Sequence, residues 1–149
     1  GVAVIRVGAA TEVEMIEKKH RIDDALEAVR SAQEEGIIVG GGVTLLKIAR
    51  SISMTLDSEE QTLGANIVLK ACEAPLRTMA RNAGESEDLI VEQILKSEDG
   101  ECYDFLNRKM TNAIESGIID PKKVSRCALQ NAASAAGTLL TTSHAIVKV

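Results

Sequence analysis

Hydrophobic and polar positions in the first 36 residues predict a short strand followed by one long helix. Residues 2–7 alternate with a β-branched bias, which is typical of a strand. Thr11, with Glu14 three residues later, forms a capping-box pattern, and apolar positions then recur at mostly helical spacing up to Glu35. Gly36 is a candidate C-cap. The helix is strongly charged, so we expect an arm exposed to water or to another domain rather than a core helix.

The rest of the chain predicts further helices separated by turns. Pro75 lies inside an otherwise helical pattern and should kink it or mark a break. The predicted helices cover residues 43–53, 58–84, 88–95 and 122–141, with a helical turn at 110–116. Residues 36–42 are expected to be a loop with an apolar insert at 37–39, residues 97–107 a loop or hairpin, and residues 144–149 a terminal strand.

This pattern predicts a mainly α, multihelical fold with short β-strands at both ends. Neither terminal strand has a hairpin partner nearby in the sequence, and lone strands are unstable. We therefore expect each to pair with sequence outside this chain or with another subunit. The chain also begins at Gly1, inside a strand-like alternation, which suggests a piece of a longer protein.

Composition changes the picture by excluding several functions. The 149 residues include one Phe, one Tyr and no Trp, so a core would consist of Ala, Val, Ile and Leu. Few aromatic residues and a net charge of -5 disfavour nucleic-acid binding, which uses stacking platforms and basic faces. Three cysteines without a CxxC pair indicate free thiols and a reducing, cytoplasmic location. No apolar run reaches the roughly 18 residues of a membrane span.

Two features are candidates for chemistry near the first loop. The run Gly40-Gly41-Gly42 fits either a plain helix-to-helix turn or a backbone that approaches a phosphate or nucleotide closely. Asp24 follows Asp23 on the charged helix and fits either a solvent-facing carboxylate or a group that orients or deprotonates an attacking water. The local sequence favours the plainer interpretation of each.

Further candidates lie in the second half of the chain. Asp120 precedes Pro121 and is a turn signal that could also accept hydrogen bonds from ribose hydroxyls. The segment Tyr103-Asp104-Phe105 fits a small hydrophobic cluster or one wall of an adenine pocket. No metal-ligand spacing surrounds either histidine, so no metal site is predicted, and the GxxxxGK[ST] phosphate-loop motif is absent.

Several motifs together closely resemble group I chaperonins of the GroEL type, in order and over essentially the whole chain. The motifs that carry the resemblance are Gly1-Val-Ala-Val-Ile-Arg-Val-Gly, Arg21-Ile-Asp-Asp-Ala-Leu, Gly40-Gly-Gly-Val, Glu73-Ala-Pro-Leu-Arg, Gly117-Ile-Ile-Asp-Pro-Lys-Lys-Val and Ala128-Leu-Gln-Asn-Ala-Ala-Ser. The resemblance implies that residues 1–34 are the C-terminal segment of an intermediate domain. Residues 35–149 would then be the C-terminal half of the equatorial ATPase domain.

The same resemblance implies roles for individual residues. Asp24 corresponds to the catalytic aspartate that helps activate the water attacking ATP, Gly41 to a glycine close to the nucleotide, and Asp120 to the ribose-binding aspartate. The segment Asp104-Phe105-Leu106 aligns with an Asn-Ala-Ala stretch on the adenine side, from which it differs in charge and bulk.

The implied parent is a double-ring homo-oligomer that uses ATP and Mg²⁺ to fold non-native proteins with a GroES-type co-chaperonin. Its phosphate loop, most magnesium ligands and apical domain would lie outside this chain, so we expect the chain alone to be nearly inactive. An alternative is a non-enzymatic helical interaction module that self-associates through its unpaired strands and apolar surface.

Overall fold

A computed structural model describes residues 1–54 and 56–147. Within these residues the helices are α1 (Glu12–Glu35), α2 (Val43–Ser51), α3 (Glu59–Ala71), α4 (Ala74–Asn82), α5 (Glu87–Lys96) and α6 (Lys122–Leu140). The strands are β1 (Ile37–Val39), β2 (Glu101–Asp104), β3 (Lys109–Asn112) and β4 (Ile119–Pro121). The predicted mainly helical class is confirmed. No helix among the described residues is long and apolar enough to cross a membrane.

The long first helix begins and ends where its sequence signals predict. The Thr11 hydroxyl accepts a hydrogen bond from the Glu14 amide at 3.3 Å, which satisfies one of the amides that a helix start leaves without a partner. At the other end Gly36 has φ 83°, a conformation that favours glycine. No residue of α1 is buried, so the predicted exposed arm is confirmed.

The predicted break at Pro75 is also confirmed. α3 ends at Ala71 and α4 begins at Ala74, which places Pro75 in the first turn of α4. Proline is tolerated there because the first amides of a helix have no intrahelical acceptor to lose. The single helix pattern of residues 58–84 is therefore two helices.

Two predictions of local structure are wrong, and both concern short strands. Residues 37–39, expected as a loop insert, form β1, which pairs antiparallel with β4. Of residues 110–116, expected as a helical turn, residues 110–112 belong to β3, which forms an antiparallel hairpin with β2, and residues 113–116 form a turn. Short apolar runs do not distinguish helix from strand by periodicity, and here the paired strand decides.

The terminal segments form no strand in the described part of the chain. Residues 2–7 and 142–147 have no strand partner there, and a strand without a partner is not stable. The last two positions of the predicted C-terminal strand, 148 and 149, lie outside the described residues.

The core lies where α2, α4 and α5 meet the β2–β3 hairpin. The fully buried side chains there include Leu46 of α2, Leu76 of α4 and Ile94 of α5. The remaining buried members of this cluster are Val43, Ala80, Ile90, Val91, Cys102, Tyr103 and Ala113. By contrast α3 and α6 bury no residue, so their apolar side chains remain at the surface.

Candidate functional site

A two-stranded ladder brings the glycine triplet beside Asp120. In the β1–β4 pair Ile38 lies opposite Asp120, although the two residues are far apart in sequence. The ladder continues past β1, since the Gly40 amide donates to the Ile118 carbonyl at 3.0 Å. The turn that follows β1 and the helix start that follows β4 are therefore adjacent.

Gly41 and Gly42 both have positive φ but differ in the space around them. A Cβ on Gly42 would lie 2.8 Å from the Leu76 amide nitrogen, and the residue has φ 74°. Gly41 also has positive φ, 68°, but the nearest atom to a Cβ there, Ile118 Cγ2, is at 3.9 Å. Packing of α4 thus explains Gly42, whereas the space beside Gly41 is open. Gly41 is the member of the triplet whose backbone a ligand could approach.

Gly41 and Asp120 line the same cavity, which has a volume of about 490 Å³. Its wall runs from the glycine turn along one side of α6 and is largely apolar. The lining residues are Ile38, Val39, Gly41, Gly42, Thr44, Leu45, Ala71, Pro75, Met79, Asp120, Val124, Ser125, Ala128, Leu129 and Ala132. Among these lining residues, all within the described ranges, the one charged side chain is that of Asp120.

The glycine turn leads directly into the start of α2. The first amides of a helix have no intrahelical acceptors and carry partial positive charge, so such a turn is suited to oxygen-rich ligands. Thr44 in the first turn donates its hydroxyl to the Val39 carbonyl at 2.8 Å, which ties the helix start to β1. This bond fixes the geometry of the turn next to the cavity.

Asp104, Phe105 and Leu106 do not line this cavity: Asp104 ends β2, and Phe105 and Leu106 lie in the turn between β2 and β3. The Asp104 carboxylate accepts from the amides of Leu106 (2.9 Å) and Asn107 (3.1 Å) and from Asn107 Nδ2 (2.7 Å). These bonds, the Asn107 side chain foremost, hold the pKa of Asp104 below its usual value. The carboxylate is thus engaged in its own turn.

The two neighbouring side chains of this turn differ sharply. Phe105 packs against the core and meets the ring of Tyr103 edge-on, with centroids 5.0 Å apart. Leu106 is 90% exposed. The predicted small hydrophobic cluster is confirmed for Tyr103 and Phe105, and Leu106 lies outside it.

The hairpin is nonetheless connected to the glycine turn by successive backbone hydrogen bonds. The Ala113 amide donates to Gly100 and the Ile118 amide donates to Ala113, both at 2.8 Å. Ile118 in turn accepts from Gly40. The hairpin and the cavity therefore belong to one hydrogen-bonded framework, although their side chains do not share a wall.

Asp24 lies on the exposed surface of α1 and is not among the cavity's lining residues. Its position relative to the cavity depends on how α1 is attached. At the end of α1, Glu34 pairs with Lys123 and Glu35 with Arg126 of α6. Sequence reasoning did not predict these pairs, because residues about 90 positions apart give no local signal of contact.

Thr44 and Ser125 also line the cavity, and the sequence pattern did not predict either of them as a site residue. α6 begins at Lys122, two residues after Asp120, and Ser125 lies about one turn further along the helix. This spacing is the one sequence signal that could have suggested Ser125. Both are small hydroxyl side chains within a mainly apolar wall.

The cysteines and candidate metal ligands contribute no further site. All three thiols are free, as predicted, and burial raises the pKa of Cys72 and Cys102. Within residues 1–54 and 56–147 no group of three or more His, Cys, Asp or Glu side chains is placed to hold a metal ion.

Comparison with known families places this geometry in context. The model of the TCP-1/cpn60 chaperonin family matches residues 1–149, which is the whole chain. A match of this extent shows membership, and the chain belongs to the TCP-1/cpn60 chaperonin family.

Proposed function

We propose that this chain is part of an ATP-dependent, GroEL-type chaperonin and forms one wall of its nucleotide site. The observation that carries the proposal is the shared cavity of Gly41 and Asp120, which the β1–β4 ladder assembles from distant sequence. A glycine backbone at a helix start, in the same cavity as a carboxylate, offers partners for the hydroxyl and phosphate oxygens of a nucleotide. Family membership supports the same assignment.

Residues 1–34 would belong to the intermediate domain and residues 35–149 to the equatorial domain. The exposed α1 supports this division, because a helix that buries no residue in its own unit suits a connection between domains. Asp24 on that helix would orient or deprotonate the water that attacks ATP. Asp104, Phe105 and Leu106 would lie towards the base.

The other parts of the nucleotide site and of the assembled chaperonin would come from sequence outside this chain. The cavity wall holds no cationic side chain among its described lining residues, so we assign the phosphate loop and magnesium ligands elsewhere. We propose identical subunits in a double ring, a GroES-type co-chaperonin and unfolded proteins as partners, and the cytoplasm as location. By itself the 149-residue chain would hydrolyse ATP slowly or not at all, since phosphoryl transfer depends on groups surrounding the phosphates.

Nucleotide binding can be tested on the chain itself by NMR. Titration of the ¹⁵N-labelled protein with ADP should shift the amides of Gly41 and Asp120 first. Asp120→Asn should weaken these shifts, whereas Asp57→Asn, which makes the same change at an exposed position before α3, should not. Shifts confined to other regions, or equal affinity in the two variants, would contradict the proposed site.

The role of Asp24 requires the assembled chaperonin that contains this chain. Asp24→Ala should preserve ATP binding and slow hydrolysis by about 100-fold or more, as expected for loss of a general base. Asp23→Ala is the matched control, since it removes the same charge from the neighbouring position, which points elsewhere on the helix. Weakened binding with normal turnover in Asp24→Ala would disprove the role.

One observation favours the second candidate, self-association. α3 and α6 bury nothing and expose large apolar side chains, among them Leu63, Ile67, Leu139 and Leu140. Exposed apolar surface of this kind promotes association. Light scattering coupled to size-exclusion chromatography should show oligomers that dissociate in the double variant Leu139→Gln with Leu140→Gln. A monomer at all concentrations would exclude this candidate.

A further inference from the structure

The chemistry of the cavity wall indicates which part of a nucleotide it can hold. Its lining side chains, all within the described part of the chain, include one carboxylate (Asp120), two hydroxyls (Thr44 and Ser125) and no cation. Tri- or diphosphate groups are bound in proteins mainly by cations and backbone amides. A carboxylate beside hydroxyls is instead suited to a neutral group that donates hydrogen bonds, such as the vicinal diol of a sugar.

The two hydroxyls are not equivalent. The Thr44 hydroxyl, on α2, donates its proton to the carbonyl of Val39, on β1. Its proton is therefore already used within the protein. On the same helix the Thr138 hydroxyl bonds back to the Ser134 carbonyl, four residues earlier, at 3.0 Å. Among the hydrogen bonds of the described residues none involves the Ser125 side chain. Ser125 is half-buried on the side of α6 that faces the cavity. Of the two hydroxyls, that of Ser125 is therefore available to form a hydrogen bond with a ligand.

Backbone geometry places Ser125 near Asp120. β4 carries Asp120 to the position opposite Ile38, and α6 begins two residues later at Lys122. Ser125 is therefore in the first turn of α6, within a rise of about 5 Å from the helix start. Both side chains line the same cavity as Gly41.

We propose that Ser125 is a second ribose-binding residue, which acts with Asp120 on the 2′- and 3′-hydroxyls of the nucleotide. This inference rests on the proposed nucleotide site and goes beyond it by naming the residue that distinguishes a ribonucleotide from its deoxy form. The Asp120 carboxylate accepts from one hydroxyl, and Ser125 Oγ donates to or accepts from the other.

The test compares ADP with 2′-deoxy-ADP on the full 149-residue chain, with Gly41 and Asp120 amide shifts as the readout. The wild-type chain should bind ADP more tightly, and Ser125→Ala should reduce ADP affinity roughly threefold to tenfold, the effect of one hydrogen bond. In Ser125→Ala the affinity for 2′-deoxy-ADP should change less than the affinity for ADP, so the ratio of the two affinities should fall. Ser125→Thr, which keeps the hydroxyl, should restore the preference.

Ser134→Ala is the matched control, because Ser134 lies on the same helix at an exposed position away from the cavity. It should behave as wild type. If ADP shifts Gly41 and Asp120 but Ser125→Ala keeps the full ribose preference, Ser125 has no role, while the proposed nucleotide site stands. If ADP shifts neither amide, the proposed function fails and this inference with it.

Discussion

The Arg126 guanidinium donates two hydrogen bonds to the Glu35 carboxylate and thereby joins the end of α1 to the first part of α6. The contacts are 2.5 Å between Arg126 Nη2 and Glu35 Oε1, and 3.0 Å between Nε and Oε2. Glu34 and Lys123 form a second pair beside it. The Lys122 amide also donates to the Gly36 carbonyl at 3.1 Å, so side chains and backbone hold the same junction. The direction in which α1 carries Asp24 is set here.

Breaking this pair should loosen the junction without unfolding the core. Arg126→Gln should speed hydrogen exchange at the amides of Gly36 and Lys122, because an exposed charge pair adds local rather than global stability. The double variant Glu35→Arg with Arg126→Glu should restore slow exchange. Arg30→Gln, which removes the Glu27–Arg30 pair within α1, is the control and should leave the junction unchanged.

Acid should release the same junction. The Arg126 hydrogen bonds hold the pKa of Glu35 below its ordinary value of 4.5 in the folded protein. A carboxylate with a lowered folded pKa stabilises the fold above its unfolded value, and this contribution disappears as pH falls through the folded pKa. The protection factor of the Gly36 amide, which corrects for the intrinsic pH dependence of exchange, should therefore stay high at pH 5 and fall as the pH drops below 4.5 through the lowered folded pKa. A protection factor equal to that of Arg126→Gln at every pH in this range would show that the pair contributes nothing.

The glycine triplet should respond unequally to alanine. Gly42→Ala combines positive φ with a Cβ 2.8 Å from the Leu76 amide nitrogen, and should cost at least about 2 kcal/mol in the free energy of unfolding. Gly41→Ala meets open space and should cost only about 1 kcal/mol. Gly64→Ala, inside α3 with nothing near, should stabilise by about 0.5–1 kcal/mol. Urea unfolding measures all three, and equal costs at Gly41 and Gly42 would refute the packing argument.

Truncation to alanine should destabilise the fold more at Ile94 than at the adjacent Leu95. Ile94 is fully buried between α5 and the rest of the cluster, so Ile94→Ala should lower the free energy of unfolding by about 2–5 kcal/mol. Leu95 is 41% exposed, so Leu95→Ala should cost clearly less. Denaturant midpoints compare the two variants, and a larger loss for Leu95→Ala would contradict the assignment of Ile94 to the core.

The hairpin turn should depend on Asp104 as an acceptor rather than as a charge. Asp104→Ala removes three hydrogen bonds and should speed amide exchange at Leu106 and Asn107. Asp104→Asn retains a side-chain oxygen and should preserve most of the protection. Equal exchange in both variants would indicate that the negative charge matters more than the geometry.

Several parts of the fold could be predicted because their signals are local. Thr11, Gly36 and Pro75 each act through the backbone of their own few residues, and each marks a helix boundary where expected. The paired strands were missed because their stability comes from partners about 80 positions away in the case of β1 and β4. A short apolar run gives no indication of such a partner.

The candidate site divides in the same way. The residue pattern identified the glycine triplet 40–42 and Asp120 as candidates, and the resemblance of its motifs singled out Gly41 and indicated the chaperonin family to which the chain belongs. Only the tertiary structure decided that these two residues share a cavity, that Asp104 is engaged in its own turn, and that Ser125 joins the wall. Local sequence determines what a residue can do, whereas contacts across the chain determine which residues do it together, because they arise only when distant segments pack.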